Sequence, residues 1–479
     1  MIPNWLIQRA YLTPNKIALS FQDRAWTFAQ LKEEALDYAE KLKANDLHEG
    51  DRIALLGPSN AEMVCMIHAC LLVGLEIVML NSRLSKKEMD WQLADAEAKA
   101  VIVADDLLGL LGSTAVPQLT FSHIQQSPRQ PFRVADQWDD NRTITIMYTS
   151  GTTGFPKGVR QTVGNHVSSA LSSVLNLGLH DDDVWLCSMP LFHISGFSIL
   201  VRSAVYGMTV RLYEKFDAKA VANEIQQGTI TRMSIVSVML DQVMRELEAE
   251  QAKAHPNFQT MLAGGGSVPK DYIERANRLG MPVLQTYGMT ETSSQTATLA
   301  ASDAIRKIGS AGKPLFFNQI QIKDAKSPND IGEVLIRGPH VTPGYIGKFE
   351  DIEPSENGWF PSGDIGYLDE EGYLFILDRR SDLIISGGEN VYPAEIENVL
   401  AAHPNVIEAG VCGKDDPQWG MVPVAFVVAN GEVTPAELRC FCEERLARYK
   451  VPTAFTFVET LPRNASNKLL RRELRSLLE

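Results

Sequence analysis

Thr143-Ile144-Thr145-Ile146-Met147-Tyr148-Thr149-Ser150-Gly151-Thr152-Thr153-Gly154-Phe155-Pro156-Lys157-Gly158 reads as a strand running into a loop of glycines and small hydroxyls that a lysine closes. Residues 143–148 alternate as a half-buried strand does. Glycines let the backbone approach a ligand closely, so amide N–H groups can point at an anion. Hydroxyls and Lys157 add donors, and the set suits a polyphosphate. The loop is not a Walker A loop. Counted from Gly151, that pattern needs glycine at position 156 and Ser or Thr at 158, where the chain has Pro156 and Gly158. An ordinary turn is the bland alternative. The strand before and the lysine after favour a phosphate loop.

Upstream, helices alternate with short apolar strands. Thr27 to Leu42 is amphipathic, Arg52–Leu56 and Glu76–Leu80 read as strands, and Ser127–Asp140 as a surface connection. This alternation predicts an α/β architecture with a mainly parallel sheet. A helical pattern resumes after Asn165. Gly309–Tyr373 is richer in Gly and Pro and predicts a β-rich subdomain. The last hundred residues read as a small α+β domain. Pro393–Ala402 is a helix, Ile407–Cys412 and Val422–Val428 are strands, and Thr434-Pro435-Ala436-Glu437 is a capping box opening a helix to Tyr449. The charged stretch Asp378–Asp382 marks the boundary, dividing the chain into residues 1–379 and 380–479. At roughly 100–200 residues per domain, 479 residues predict two to four folding units.

Charge narrows the function. With 45 basic and 59 acidic residues the net charge is −14, which argues against a general nucleic-acid binder. Six scattered cysteines give neither a disulfide framework nor a zinc pattern, and Cys440 and Cys442 point to different faces of a helix. A reducing cytoplasm is the expectation. Met63–Leu80 approaches the length of a membrane span, but His68, Gly74 and Glu76 interrupt it. It reads as a buried helix turning into a buried strand. Gly264-Gly265-Gly266 fails the dinucleotide fingerprint at Pro269. It is either a plain turn or a place where a flat base lies on the backbone.

Five motifs in order carry a resemblance over nearly the whole chain: the phosphate loop, Gln285-Thr286-Tyr287-Gly288-Met289-Thr290-Glu291, Ser362-Gly363-Asp364, Asp378-Arg379-Arg380-Ser381-Asp382 and Pro462-Arg463-Asn464-Ala465-Ser466-Asn467-Lys468. The chain resembles the adenylate-forming enzymes: acyl-CoA ligases, nonribosomal adenylation domains and firefly luciferase. The resemblance implies a large N-terminal domain, a small mobile C-terminal domain, and ATP with Mg²⁺. It implies ATP or AMP contacts from Thr149, Ser150, Gly151, Thr152, Thr153, Gly154, Lys157, Gly264, Gly265, Gly266 and the run Gln285 to Thr290. Tyr287 would stack on adenine, the Thr290 hydroxyl would contact the α-phosphate, and Glu291 would hold the metal. Asp364 and Arg379 would take the ribose, and Lys468 would reach both substrate oxygen and phosphate. Ser381 stands at the hinge, where the family commonly has Asp or Lys, and Asn467 stands where it usually has Gly.

Three classes compete: an acyl-CoA ligase, a stand-alone adenylation domain loading a carrier protein, and a nucleotide-binding regulator without chemistry. Gly387 and Gly388 match the family's turn beside the pantetheine tunnel, which favours coenzyme A as cosubstrate. Trp419 is read evenly as core or as a wall of that tunnel. His193 borders the acyl pocket in the family, and a structural histidine is its alternative. Asn4–Ala10, His193–Gly196 and Arg463–Arg471 resemble the branch whose acid is o-succinylbenzoate, a precursor in menaquinone biosynthesis. Another aryl or medium-chain acid is the runner-up. That acid has a second carboxylate. Arg202, with Ser195, is its candidate partner, against the reading that Arg202 snorkels to water. The expected partners are small molecules, with no nucleic acid and no membrane span; a homo-oligomer is left open.

Overall fold

The strand Thr143–Thr149 sits inside a seven-stranded sheet, between Lys157–Thr162 and Glu76–Met79. The computed structural model describes all residues except 150–154, 267, 380, 387–388, 418, 465–467 and 479, and the side chain of Asn390. From Thr143–Thr149 the sheet continues in parallel through Glu76–Met79, Arg52–Leu56, Ala100–Val103 and Gln118–Thr120. On the other side Lys157–Thr162 and Tyr345–Ile346 are antiparallel. Residues 143–147 are all buried, so the strand is not half-buried as its alternation predicts. Ile146 enters one core cluster and Ile144 and Met147 another. The Thr145 hydroxyl can be buried because Gln161 (2.8 Å) and His166 (2.7 Å) satisfy it.

A second sheet of nine strands holds the parallel run Val283–Met289, Thr260–Ala263, Arg232–Ile235, Val184–Cys187, Thr209–Leu212 and Ile17–Phe21. Ser294–Thr298 returns antiparallel beside Val283–Met289. Met63–Leu80 is the expected buried helix, Ala61–Val73, followed by the strand Glu76–Met79. No helix among the described residues is long and apolar enough to cross a membrane. The β-rich part is a four-stranded antiparallel sheet ending in Phe360–Leu368 and Leu374–Arg379. The last sheet pairs Val406–Asp416 with Gly420–Ala429 and carries the helices Pro393–Ala401 and Pro435–Glu443. The architecture is α/β, with mainly parallel sheets, a β-rich part and a small α+β part.

Two local expectations are corrected. The helix opened by the Thr434 capping box stops at Glu443, not Tyr449. A separate turn, Arg448–Lys450, follows. It lets Lys450 pair with Glu395 at 2.7 Å and sends Val451 into the core. Ser127–Asp140 is not only a surface connection. Gln137–Trp138 pairs with Ile2–Pro3, and Trp138 is buried edge-on against Trp5.

One buried pair ties the nine-stranded sheet together. Arg232 Nε lies 3.0 Å from Asp183 Oδ1, both side chains are almost fully buried, and Thr231 Oγ1 donates to the same oxygen at 2.9 Å. Removing one partner strands a buried charge. Asp183→Ala should therefore destabilise the fold by about 3–5 kcal/mol, read as a lowered urea midpoint.

Candidate active site

The strand register sets Thr149 and Lys157, the two flanks of the expected phosphate loop, side by side across the antiparallel ladder. The expected loop residues Ser150, Gly151, Thr152, Thr153 and Gly154 lie outside the described residues, as do Gly387 and Gly388 of the small unit. Lys157 is held over two rings, with Nζ 5.0 Å from the Tyr345 centroid and 5.5 Å from that of Phe349.

Val283–Met289 delivers the second motif from the edge of the parallel run. Thr286 Oγ1 is tied to Ala297 O (3.0 Å) and Thr298 Oγ1 (2.8 Å), and Gln285 is buried. Gly288 is required by contact: a Cβ there would lie 1.6 Å from Ser294 O. Met289 donates its N–H to Thr292 Oγ1 at 3.0 Å, opening the short turn Thr290–Thr292. Ser293 and Ser294, directly after it, both have positive φ (49° and 110°). Two successive non-glycine residues in that region store strain, a feature of functional turns.

The β-rich sheet meets this turn through Tyr287, whose hydroxyl donates to Asp364 Oδ2 at 2.7 Å. Arg379 Nε approaches the other Asp364 oxygen at 2.8 Å, and the two strands pair at these same residues. Asp364 above all holds the Arg379 pKa up. Burial pushes the Glu291 carboxyl up, while Arg379 and Lys157 pull it the other way.

Lys468 comes from the far end of the chain into this group. Asn464 grips it twice, donating its N–H to Lys468 O (2.8 Å) and accepting the Lys468 N–H on Oδ1 (2.9 Å). Gly265, with φ +82°, leaves room: a Cβ there would lie 3.3 Å from Lys468 Cε. A Cβ on Gly264 would crowd Thr286 at 2.8 Å, whereas Gly266 faces open space. Lys468 is exposed to the cleft. Desolvation, then Arg379, lowers its ammonium pKa, while Asp364 and Glu291 oppose the shift.

The helix Ile194–Tyr206 forms the next wall. His193 is its N-cap residue, and burial first, then Lys468 and Arg83, pushes its imidazole down to about 4, so it is neutral near pH 7. Ser195, Ser198 and Arg202 share one face at helical spacing, with Ser195 partly exposed. Arg202 is 1% exposed, which rules out snorkelling. Its Nη2 donates to Gln295 Oε1 (2.8 Å) and Ser294 Oγ (3.3 Å), and its guanidinium lies 5.0 Å from the Trp185 ring centroid. No carboxylate pairs with it among the described residues. Its Nε is a buried donor without a protein partner there, as are Gln285 Nε2 and the hydroxyls of Ser198 and Ser293, and His193 Nε2 is a buried ring nitrogen without one. Such a group of donors suits an anionic, oxygen-rich ligand.

Ser198, Ser294 and Gln295 escaped the motif reading. The signal was present: Thr290 to Thr296 is an unbroken polar run, and Thr292, Ser293, Gln295 and Thr296 are buried. Trp419 is 52% exposed, so it is not core, and it lies between the paired strands of the small sheet, its N–H donating to Asp416 Oδ1 at 2.9 Å. Ser381 is exposed, with its hydroxyl on Asp382 Oδ1 at 3.2 Å.

The AMP-binding enzyme family matches residues 6–346, and its C-terminal domain family matches residues 395–468. Across the whole chain, 48% of residues are identical to a 2-succinylbenzoate–CoA ligase of Bacillus cereus, of which 99% is covered. A 2-succinylbenzoate–CoA ligase of Geobacillus kaustophilus is 50% identical, over 100% of this chain and 98% of that one. The o-succinylbenzoate CoA synthetase of Bacillus subtilis, solved with its acyl-adenylate intermediate, superposes with a TM-score of 0.93 at 44% identity, over 99% of this chain and 98% of that one. Solved with ATP and magnesium ion, that synthetase gives 0.92 at 43% identity, over 99% of each chain.

The contact at Gly288 predicts that Gly288→Ala, by driving Ser294 away, weakens ATP binding roughly tenfold or more, about 1.4 kcal/mol per decade. Titration calorimetry with ATP and Mg²⁺ reads it.

Proposed function

The chain belongs to the AMP-binding enzyme family, and from that premise we propose that it is an ATP-dependent ligase joining 2-succinylbenzoate to coenzyme A. The observation that carries the choice of acid is Arg202, a buried cation without a carboxylate partner among the described residues. Burying an unpaired charge is costly, so such an arginine expects an anion. The aromatic carboxylate of 2-succinylbenzoate, which does not react, supplies one. Gln295, itself held by Thr298 (2.7 Å) and Thr286 (3.1 Å), orients the guanidinium, and Ser195 and Ser198 add hydroxyls on the same helix face.

In the first half-reaction the succinyl carboxylate attacks the α-phosphorus of ATP, giving acyl-AMP and releasing pyrophosphate. Both reactants are anions, so the site must supply positive charge and donors where negative charge builds up. Lys468 reaches the reacting oxygens, Lys157 the outer phosphates, and the Thr290 hydroxyl the α-phosphate. Tyr287 lies under the adenine, and Asp364 with Arg379 takes the ribose hydroxyls. Among the described residues no group of three or more His, Cys, Asp or Glu side chains could hold a metal alone. Mg²⁺ on a polyphosphate needs only one or two carboxylates, and the hard oxygens of Glu291 fit it. Bound there, the ion would neutralise phosphate charge. In the second half-reaction the thiol of coenzyme A attacks the acyl carbonyl and AMP leaves. Neutral His193 stands beside the acyl group and does not compete for the phosphate. Trp419, Gly387 and Gly388 meet the pantetheine arm after the small unit turns about Ser381.

The direct test is thioester formation from 2-succinylbenzoate, ATP and coenzyme A across a panel of acids. Turnover of another acid in its place, or transfer only to a carrier protein, overturns the reading. Lys468→Ala should slow adenylation by about 10²–10³-fold or more while still making thioester from preformed acyl-AMP. Arg202→Leu should lower kcat/KM for 2-succinylbenzoate by about 2–5 kcal/mol. On 4-oxo-4-phenylbutanoate, which lacks the aryl carboxylate, it should lose little. Equal losses on both acids would make Arg202 structural.

A further inference from the structure

The turn Thr290–Thr292 is strained by the positive φ of Ser293 and Ser294, so it needs ties from outside to keep its shape. Two reach it. The N–H of Thr342 donates to Glu291 O at 2.7 Å, and the side-chain amide of Gln161 donates to Thr290 O at 2.8 Å. Thr290 O also accepts the Ser293 N–H at 3.1 Å, so both of its lone pairs are engaged. Gln161 comes from the strand Lys157–Thr162, four residues beyond Lys157, and is fully buried.

Behind Gln161 the hydrogen bonds run in one direction. Gln161 Oε1 can only accept, so the Thr145 hydroxyl must donate to it (2.8 Å). The single hydroxyl proton of Thr145 is thereby used, so His166 Nε2, 2.7 Å away, must be the donor to Thr145. This makes His166 the Nε2–H tautomer. Burial keeps its imidazole uncharged, pushing it down to about 3. His166 is wedged between Trp5 (6.2 Å) and Phe197 (5.3 Å), which fixes its ring. The chain of bonds thus starts at His166, on the helix Val163–Leu177 that packs against the Arg202 helix through Phe197, and ends at the turn that carries Thr290 and Glu291.

We infer that Gln161 is a positioning residue for adenylation: through the relay His166–Thr145–Gln161 it holds the Thr290 carbonyl, and so aims the Thr290 hydroxyl and the Glu291 carboxylate at ATP. Gln161 touches no reacting atom. Its effect falls on nucleotide binding and on the adenylation rate, not on the capture of the acid. The inference rests on the adenylation reading above.

The test compares full-length variants by ATP–Mg²⁺ titration calorimetry, which needs no acid, and by acid-dependent pyrophosphate exchange. Gln161→Met should weaken ATP binding and lower the exchange kcat, each about tenfold, with the KM for the acid within about twofold of wild type. Thr145→Val, which only cuts the relay behind Gln161, should give a smaller loss of the same kind, and Thr145→Ser should recover it. In a Thr290→Ala background Gln161→Met should cost clearly less exchange kcat than in wild type, because one of the two groups it aims is gone. An equal loss in both backgrounds, a loss confined to the KM of the acid, or Thr145→Ser behaving like Thr145→Val overturns the inference. If wild type binds ATP but does not turn over 2-succinylbenzoate, the choice of acid falls, and the calorimetric arm still judges Gln161.

Discussion

Arg471 is where the β-rich sheet and the small unit are joined. Its guanidinium meets Glu397 (2.6 Å), Asp382 (3.0 Å) and Asp378 (3.2 Å), all largely buried. Asp378 also accepts the N–H of Arg379 (2.8 Å) and that of Ala394 (2.9 Å). One carboxylate thus binds the end of the β-rich sheet, the first turn of the small unit's helix, and the residue three beyond Lys468. Desolvated charges are tolerated only when every partner is in place, which gives such a hub its geometric stringency. Lys468 and Arg379, distant in the chain, enter the same cleft because of it.

The cleft solves a charge problem on an acidic protein. A net charge of −14 repels two anionic substrates at long range, yet Lys157, Arg379, Lys468 and Arg202 concentrate positive charge locally. Each is held differently: Lys157 over two aromatic rings, Arg379 by Asp364, Lys468 by the backbone and side chain of Asn464, and Arg202 by Gln295 and the Trp185 ring. Because none of these grips depends on substrate, the cationic groups are arranged before charge develops.

Small residues serve the same end. At Gly288 the backbone comes too close for a side chain, and at Gly265 the positive φ of +82° favours glycine beside Lys468. Ser293 and Ser294 bend the chain back so that the strand Ser294–Thr298 can pair with Val283–Met289 and bring Gln295 to Arg202. The strain is offset by a dense set of hydrogen bonds around Thr290, Thr292 and Thr342.

Local chemistry made much of this legible. The Thr434 capping box and Pro435 announced a helix start, and apolar runs near glycines announced parallel strands. Those features act over a few residues, so the order of residues alone determines them. The end of the Thr434 helix, the double burial of Thr143–Met147, and the choice between snorkelled and buried for Arg202 were not legible. Each depends on what packs against the segment from elsewhere: Glu395 on Lys450, Gln161 and His166 on Thr145, Gln295 and Trp185 on Arg202. The sequence by itself determined the family of chemistry. Only the tertiary structure decided which polar groups are buried without a protein partner, because burial and pairing are properties of contacts between segments hundreds of residues apart.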